Sequence, residues 1–351
     1  MNTVPTGTTA TQPPPDPIEL LLDSMTAEEL VGQLFLARYP GEDAAKEAIT
    51  NYHIGSFILF SKDFETKSSL SVKEELTRLQ SSSKLPLIIA TDEEGGSVTR
   101  ISCHSQYRSS RFPSPRKLYS QGGLPLLLDT EKKKCKLLRS LGVNMNLAPV
   151  CDIATVKNAF MYGRSLRQSP EETGRIITEM VALMDREQIG SVLKHFPGYG
   201  NNTDTHTGKA VDKRSLKELE NKDLVPFRMG ISAGCEAILV SHTVVACMDT
   251  TMPASLSPAV IGYLRKNMGF DGVVVTDDLV MDAITDHYAA GEAAVLAVLA
   301  GNDLLCSSDY ITQYNAVLDA VNTGRISAER LRQSAARVLR WKASIGLPVT
   351  E

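Results

Sequence analysis

GSVLKHFPGYGNNTDTH, residues 190–206, opens with a short run of small and apolar residues, passes through a Pro/Gly turn and ends in a polar segment carrying Asp204 and His206. The apolar run suits a buried strand, which places Lys194 and His195 at the carboxyl end of that strand and Asp204 and His206 on the loop beyond it. Seven further runs of the same kind recur along the chain: QLFLAR (33–38), SFILF (56–60), PLIIAT (86–91), MNLAPV (145–150), AILVSH (237–242), GVVVTD (272–277) and DLLCSS (303–308). Amphipathic stretches separate most of them, among them DAAKEAITNYH, SPEETGRIITEMVALMDREQ, SPAVIGYLRKNM and AAGEAAVLAVLAG. Ser169-Pro170 and Ser257-Pro258 are helix-start signals. Eight apolar strands alternating with helices predict an α/β fold, a single-domain (β/α)8 TIM-type barrel, with an open doubly wound sheet as the alternative.

The chain has 351 residues, 42% of them hydrophobic and 22% charged, with a formal net charge of -4. Such a composition supplies a large core and offers no basic footprint, so a nucleic-acid partner is not expected. Six scattered cysteines without a CxxC pair are expected as buried free thiols. Residues 1–16 are Pro/Thr-rich and are expected as a disordered leader ahead of a single barrel domain over 17–351. No apolar run is long enough to span a bilayer. The expected location is the cytoplasm, with secretion or lipid anchoring as the alternative should a signal have been trimmed. The closing stretch SAERLRQSAARVLRWKASIG is predicted to be a helix that caps the barrel through Leu331, Ala335, Val338 and Leu339. The insert over 101–124 is expected as a loop on the top face.

In a barrel of this kind the active site lies at the carboxyl ends of the strands. Ionisable residues punctuate those ends here: Asp92, Glu93 and Glu94 after the third strand, Lys194 and His195 after the fifth, His242 after the sixth, Asp277 and Asp278 after the seventh. Each has a bland reading as well, Asp278 as a helix N-cap and His242 as a satisfied structural histidine. A strand-end carboxylate such as Asp277 can attack an electrophilic sugar carbon. Asp204 and His206, two residues apart, can share one face of an extended loop, where the carboxylate would orient the imidazole as an acid/base.

Seven ordered motifs carry a resemblance to a known family: MTAEELVGQLF, TDEEGGSVTRI, NLAPVCDI, YGRSL, KHFPGYG with DTH, SHTVV, and GFDGVVVTDDLVMDAI. Together they resemble glycoside hydrolase family 3, specifically its single-domain β-N-acetylhexosaminidase branch, over nearly the whole chain after the leader. The resemblance implies a retaining exo-β-N-acetylglucosaminidase acting on cell-wall (peptidoglycan) fragments or chitooligosaccharides, without a cofactor or metal, as a monomer. It implies Asp277 as the nucleophile, His206 as the acid/base with Asp204 as its dyad partner, and Asp92, Arg100, Arg164, Lys194 and His195 as contacts to the sugar, with His242 on the same rim. The chain departs from the commoner family pattern in reading GYG where many members have GHG, and in having three residues rather than four between Gly200 and Asp204. The alternatives are a β-glucosidase of the same family, phosphorolysis or transglycosylation through the same intermediate, a metal-dependent barrel hydrolase using His195, His206, His242 and Asp277, and a non-catalytic sugar-binding barrel.

Overall fold

A computed structural model describes residues 16–205, 208 and 210–349. The leader read at 1–16 lies outside the described residues except for Asp16, which is the N-cap of the helix Pro17–Ser24, its Oδ1 accepting from the Ile18 N–H at 2.9 Å.

The strands are β1 (Phe35–Arg38), β2 (Ser56–Leu59), β3 (Ile88–Thr91), β4 (Met145–Asn146), β5 (Gly190–Ser191), β6 (Leu193–Phe196), β7 (Val211–Asp212), β8 (Ala237–Val240), β9 (Val244–Val245), β10 (Val273–Thr276) and β11 (Leu305–Ser307). Parallel pairing runs β11-β1-β2-β3-β4-β5, and, from the same chain segment as β5, β6-β8-β10. A parallel bridge between Val275 and Leu304 returns from β10 to the residue preceding β11. The first strand thus lies beside the last, which an open doubly wound sheet does not do, and the fold is the expected TIM-type barrel. The short β7 and β9 pair with each other outside it.

Strand parity builds the two layers of core. Leu36, Ile58, Ile88, Ala90, Met145, Leu239, Val273 and Val275 form one buried cluster with Val338 and Trp341. Their neighbours Phe35, Ala37, Phe57, Leu59 and Ile89 join a separate cluster with the surrounding helices. Side chains that alternate faces therefore fill the barrel interior and its jacket in turn. The closing helix, Ala328–Ser344, contributes to both: Val338 to the interior, and Leu331, Ala335 and Leu339 to the jacket. Trp341 lies against Gly190 at the start of β5, so this helix seals the end of the barrel opposite the strand ends that carry the polar residues.

Helix starts follow the sequence signals. Ser169 and Ser257 cap Pro170–Arg186 and Pro258–Lys266, their hydroxyls accepting from the N–H groups of Glu172 and Val260. Two segments differ from expectation. Gln33 ends the helix Ala27–Gln33 instead of opening β1, because Thr26 and Glu29 form a capping box that commits the preceding stretch to helix. Residues 115–121 are helical, since Ser114 and Pro115 start a helix there, and after a break at Gly122 and Gly123, whose backbone is not helical, a second helix continues to Leu141. Of the six free cysteines, four are buried, Cys103 is half-buried and Cys247 is exposed.

Candidate active site

The carboxyl ends of the strands open into one cavity of about 740 Å³. Asp92, Arg100, Arg164, Lys194, His195, Asp204 and Asp277 all line it. Six come from strand ends or the loops that follow them, and Asp204 comes from the loop beyond the FPGYG turn.

β3 delivers three consecutive carboxylates with three different duties. Glu93 turns back into the structure and accepts the backbone N–H groups of Arg100 and Ile101, each at 2.8 Å, together with the Ser102 hydroxyl. It folds the EEGGSVTRI turn and positions Arg100. Asp92 and Glu94 face Lys194, whose Nζ lies 2.7 Å from Asp92 Oδ1 and 2.6 Å from Glu94 Oε1. Arg164 completes the group with a two-pronged contact to Glu94, Nη2 to Oε1 at 2.6 Å and Nε to Oε2 at 3.0 Å. Burial pushes the Asp92 carboxyl up, but Lys194 and Arg100 outweigh it and hold the group below its ordinary value. Glu94 is likewise raised by burial and held well below its ordinary value by Lys194 and Arg164. For Lys194, burial works to lower the ammonium and the paired carboxylates raise it further. All three are therefore charged across the neutral range.

His195 is fixed by Asp152, a carboxylate just beyond β4. Asp152 Oδ2 accepts from His195 Nδ1 at 2.7 Å and from the His195 N–H at 3.1 Å. Arg164 Nη2 lies 3.2 Å from His195 Nε2, so a ring that gives its Nδ1 proton to Asp152 offers Nε2 as the acceptor to this cation. Arg100 Nη2 lies 3.4 Å from Asp92 Oδ2, its guanidinium stacks over Phe60 at 5.1 Å, and its Nε has no hydrogen-bond partner among the described residues. A buried donor left over beside an open polar cavity is available to a ligand oxygen.

Asp277 follows β10 directly. Its backbone N–H donates to the Val240 carbonyl at 3.1 Å, and its Oδ1 accepts from the Asp278 N–H at 3.0 Å, which leaves the carboxylate half-buried at the cavity wall. Asp278 is not the N-cap of the helix Asp282–Thr285, a position held by Met281. It accepts from the Val280 N–H and from both the N–H and the hydroxyl of Ser308, joining the ends of β10 and β11. Burial pushes its carboxyl up.

The loop after β6 is tied at its base. Arg214 Nη2 donates to the Gly198 carbonyl at 3.0 Å and to Asp212 Oδ2 at 2.5 Å, and Nη1 lies 2.5 Å from Asp223 Oδ2. One guanidinium thus gathers both ends of the loop that carries Asp204. The two glycines of the turn follow from this packing. Gly198 has φ of 112° and a Cβ there would come within 2.8 Å of the Asp223 Cβ; Gly200 has φ of 56° and a Cβ would lie 2.6 Å from the Arg214 Cζ. Burial raises the Asp223 carboxyl to about 6 against the pull of Arg214.

His206 lies outside the described residues. His242 does not line the large cavity. It is buried, with Nδ1 2.7 Å from Ser255 Oγ and Nε2 2.9 Å from the Asp278 carbonyl. Because a carbonyl only accepts, Nε2 is the donor, and the ring braces the backbone just after Asp277 and borders a second cavity of about 240 Å³ with His287 and Tyr288. His195 and His242 therefore serve different cavities. Asp152 and the anchoring role of Glu94 escaped the sequence reading, although the strand-end rule that found Asp92 applies equally to Asp152, two residues past Val150.

Beta-hexosaminidase A of Pseudoalteromonas piscicida is 30% identical over 327 residues, 85% of this chain and 55% of that protein, so the chain spans about half the length of that relative. Beta-hexosaminidase LpqI of Mycobacterium tuberculosis is 29% identical over 332 residues, 91% of this chain and 83% of that protein. Among solved structures, a glycoside hydrolase family 3 beta-N-acetylglucosaminidase from a Paenibacillus species superposes with a TM-score of 0.86 at 34% identity, covering 92% of this chain and 63% of that one. The structure of M. tuberculosis LpqI gives 0.83 at 27% identity, covering 93% and 96%. Residues 26–341 match the Glycosyl hydrolase family 3 N terminal domain, and the chain belongs to that family.

Proposed function

We propose that the chain is a retaining exo-β-N-acetylhexosaminidase that removes terminal β-linked N-acetylglucosamine, with peptidoglycan fragments or chitooligosaccharides as the substrate class. One observation carries this reading: Asp277 at the end of β10 and Asp204 on the neighbouring loop share a single cavity with the charged group of Asp92, Arg164, Lys194 and His195. The beta-hexosaminidase relatives and the Paenibacillus β-N-acetylglucosaminidase support it.

In this reading Asp277 attacks the anomeric carbon and forms a glycosyl ester while the glycosidic C–O bond breaks. His206, oriented by Asp204, gives a proton to the departing oxygen. It then takes one from the water that attacks the same carbon and releases Asp277. Asp92 and Lys194, both charged and mutually paired, present an acceptor and a donor to neighbouring sugar hydroxyls, and the Arg100 Nε supplies a further donor. A dyad acid suits a retaining site in which the nucleophile is already anionic, because an imidazole adds no second negative charge.

The test is turnover of a chromogenic β-N-acetylglucosaminide beside the matching β-glucoside, with wild type and Asp277→Ala. The N-acetylglucosaminide is the better substrate, and Asp277→Ala abolishes its turnover. Preference for the glucoside, or wild-type turnover by Asp277→Ala, would sink the reading.

A further inference from the structure

Thr205 is fully buried, although the loop it belongs to has exposed members at Asn201 and Thr203. Its hydroxyl lies 2.5 Å from that of Tyr199, which is itself 1% exposed. The contact reaches from the turn at the loop's start to the residue immediately after Asp204.

Tyr199 is held on three sides. Its backbone N–H donates to Asp152 Oδ1 at 2.7 Å, so the carboxylate that orients His195 also anchors this tyrosine. The ring meets His195 edge-on at 5.3 Å and Phe160 at 5.5 Å. Burial, with the nearby Asp277 charge, pushes the phenol up, so it keeps its proton, and either hydroxyl of the Tyr199–Thr205 pair can be the donor. A phenol held this firmly is a post, and its one polar atom points at the loop. Asn201 Oδ1 secures the near side of the loop by accepting the N–H groups of Thr155 and Val156.

We propose that Tyr199 is a positioning residue: by holding the Thr205 hydroxyl it sets the pose of the Asp204–Thr205 stretch, and through it the aim of the acid that follows in the chain. The proposal rests on the acid/base reading given above. It differs from a purely structural role in what it predicts, because a misaimed acid hurts only those substrates that need protonation of the leaving group.

Tyr199→Phe keeps the buried ring and removes only the hydroxyl; Thr205→Val keeps the shape of the partner. The measurement is kcat/KM for a series of aryl β-N-acetylglucosaminides whose phenols run from strongly to weakly acidic, with Asp204→Ala as the reference. Each single variant loses about tenfold to a hundredfold on the weakly acidic phenols, and less than about threefold on the most acidic one. The double variant loses no more than either single one, since both remove the same contact. Thr205→Ser, which restores a hydroxyl, recovers activity relative to Thr205→Val on the weakly acidic phenols. If Asp204→Ala shows the steep dependence while Tyr199→Phe and Thr205→Val follow wild type, or lose equally on every substrate, the positioning role is overturned alone. A flat dependence in Asp204→Ala overturns the acid/base reading, and the positioning role with it.

Discussion

Lys194 and Glu94 form an ion pair at 2.6 Å with side chains only 3% and 4% exposed, and the same ammonium bonds Asp92 on the cavity side. A cation between two buried carboxylates both holds β3 to β6 and presents Asp92 to the cavity. Removing it leaves two anions without their main partner. Lys194→Met should cost on the order of 3–5 kcal/mol, read as a lower urea midpoint. Trp341, the single tryptophan, sits in the barrel interior and reports the transition. Asp92 and Glu94 are held below their ordinary values in the folded protein, so their contribution to stability is present above the ordinary carboxylate range and is lost as pH falls. In Lys194→Met that depression is weakened and burial pushes the two carboxyls up, so the penalty relative to wild type is largest at neutral pH and shrinks as pH falls. Unchanged midpoints at both neutral and acidic pH would contradict the ion-pair account.

Asp152 accepts three hydrogen bonds, two from His195 through Oδ2 and one from the Tyr199 N–H through Oδ1. Asp152→Asn keeps a single acceptor oxygen and can satisfy either the His195 side or the Tyr199 side, not both. The expected outcome is a fall in kcat/KM of about tenfold to a hundredfold, with the fold retained by circular dichroism. Kinetics like those of wild type would mean that His195 does not depend on this carboxylate.

Lys342 is fully buried in the closing helix, and its Nζ donates to Gln33 Oε1 at 2.7 Å with no carboxylate in contact among the described residues. Burial lowers its ammonium to about 7 from an ordinary 10.5. Between those values the unfolded chain binds the proton and the folded chain does not, so this residue's contribution to stability rises as pH climbs through that window. Lys342→Met should therefore gain relative to wild type at pH 6, by about 1–3 kcal/mol, with the gain shrinking by pH 9. Urea midpoints at the two pH values check the sign, and a gain that grows with pH contradicts it.

The eight strands and their order were legible because alternating apolar runs bounded by Gly, Pro and polar clusters are a local signal, and the strand-end rule then picked out Asp92, Lys194, His195, Asp277 and Asp278, which do line the cavity, while Arg100 and Arg164 came only from the family resemblance. What it could not supply was partnership. Asp92, Glu93 and Glu94 are identical in kind along the chain, yet one faces the cavity, one folds a turn and one anchors two cations, a division set by tertiary contacts with Lys194, Arg164 and Ser102. His242 shared its strand-end position with Lys194 but is turned by Ser255 and the Asp278 carbonyl toward another cavity. Asp16 reads as leader by composition and acts as a cap because Pro17 follows it. Gly198 and Gly200 look like ordinary turn glycines, and only the packing of Asp223 and Arg214 against them shows why no side chain fits.

The central claim, a covalent glycosyl ester on Asp277, is tested most directly by mass spectrometry of Asp204→Ala during turnover of an activated aryl β-N-acetylglucosaminide. With the acid/base impaired, glycosylation still proceeds on such a leaving group while release by water is slowed, so the intermediate accumulates. The account predicts a protein heavier by one N-acetylhexosamine residue, with the addition mapped to the peptide containing Asp277. Continued slow turnover with no adduct, or an adduct on another residue, would contradict it.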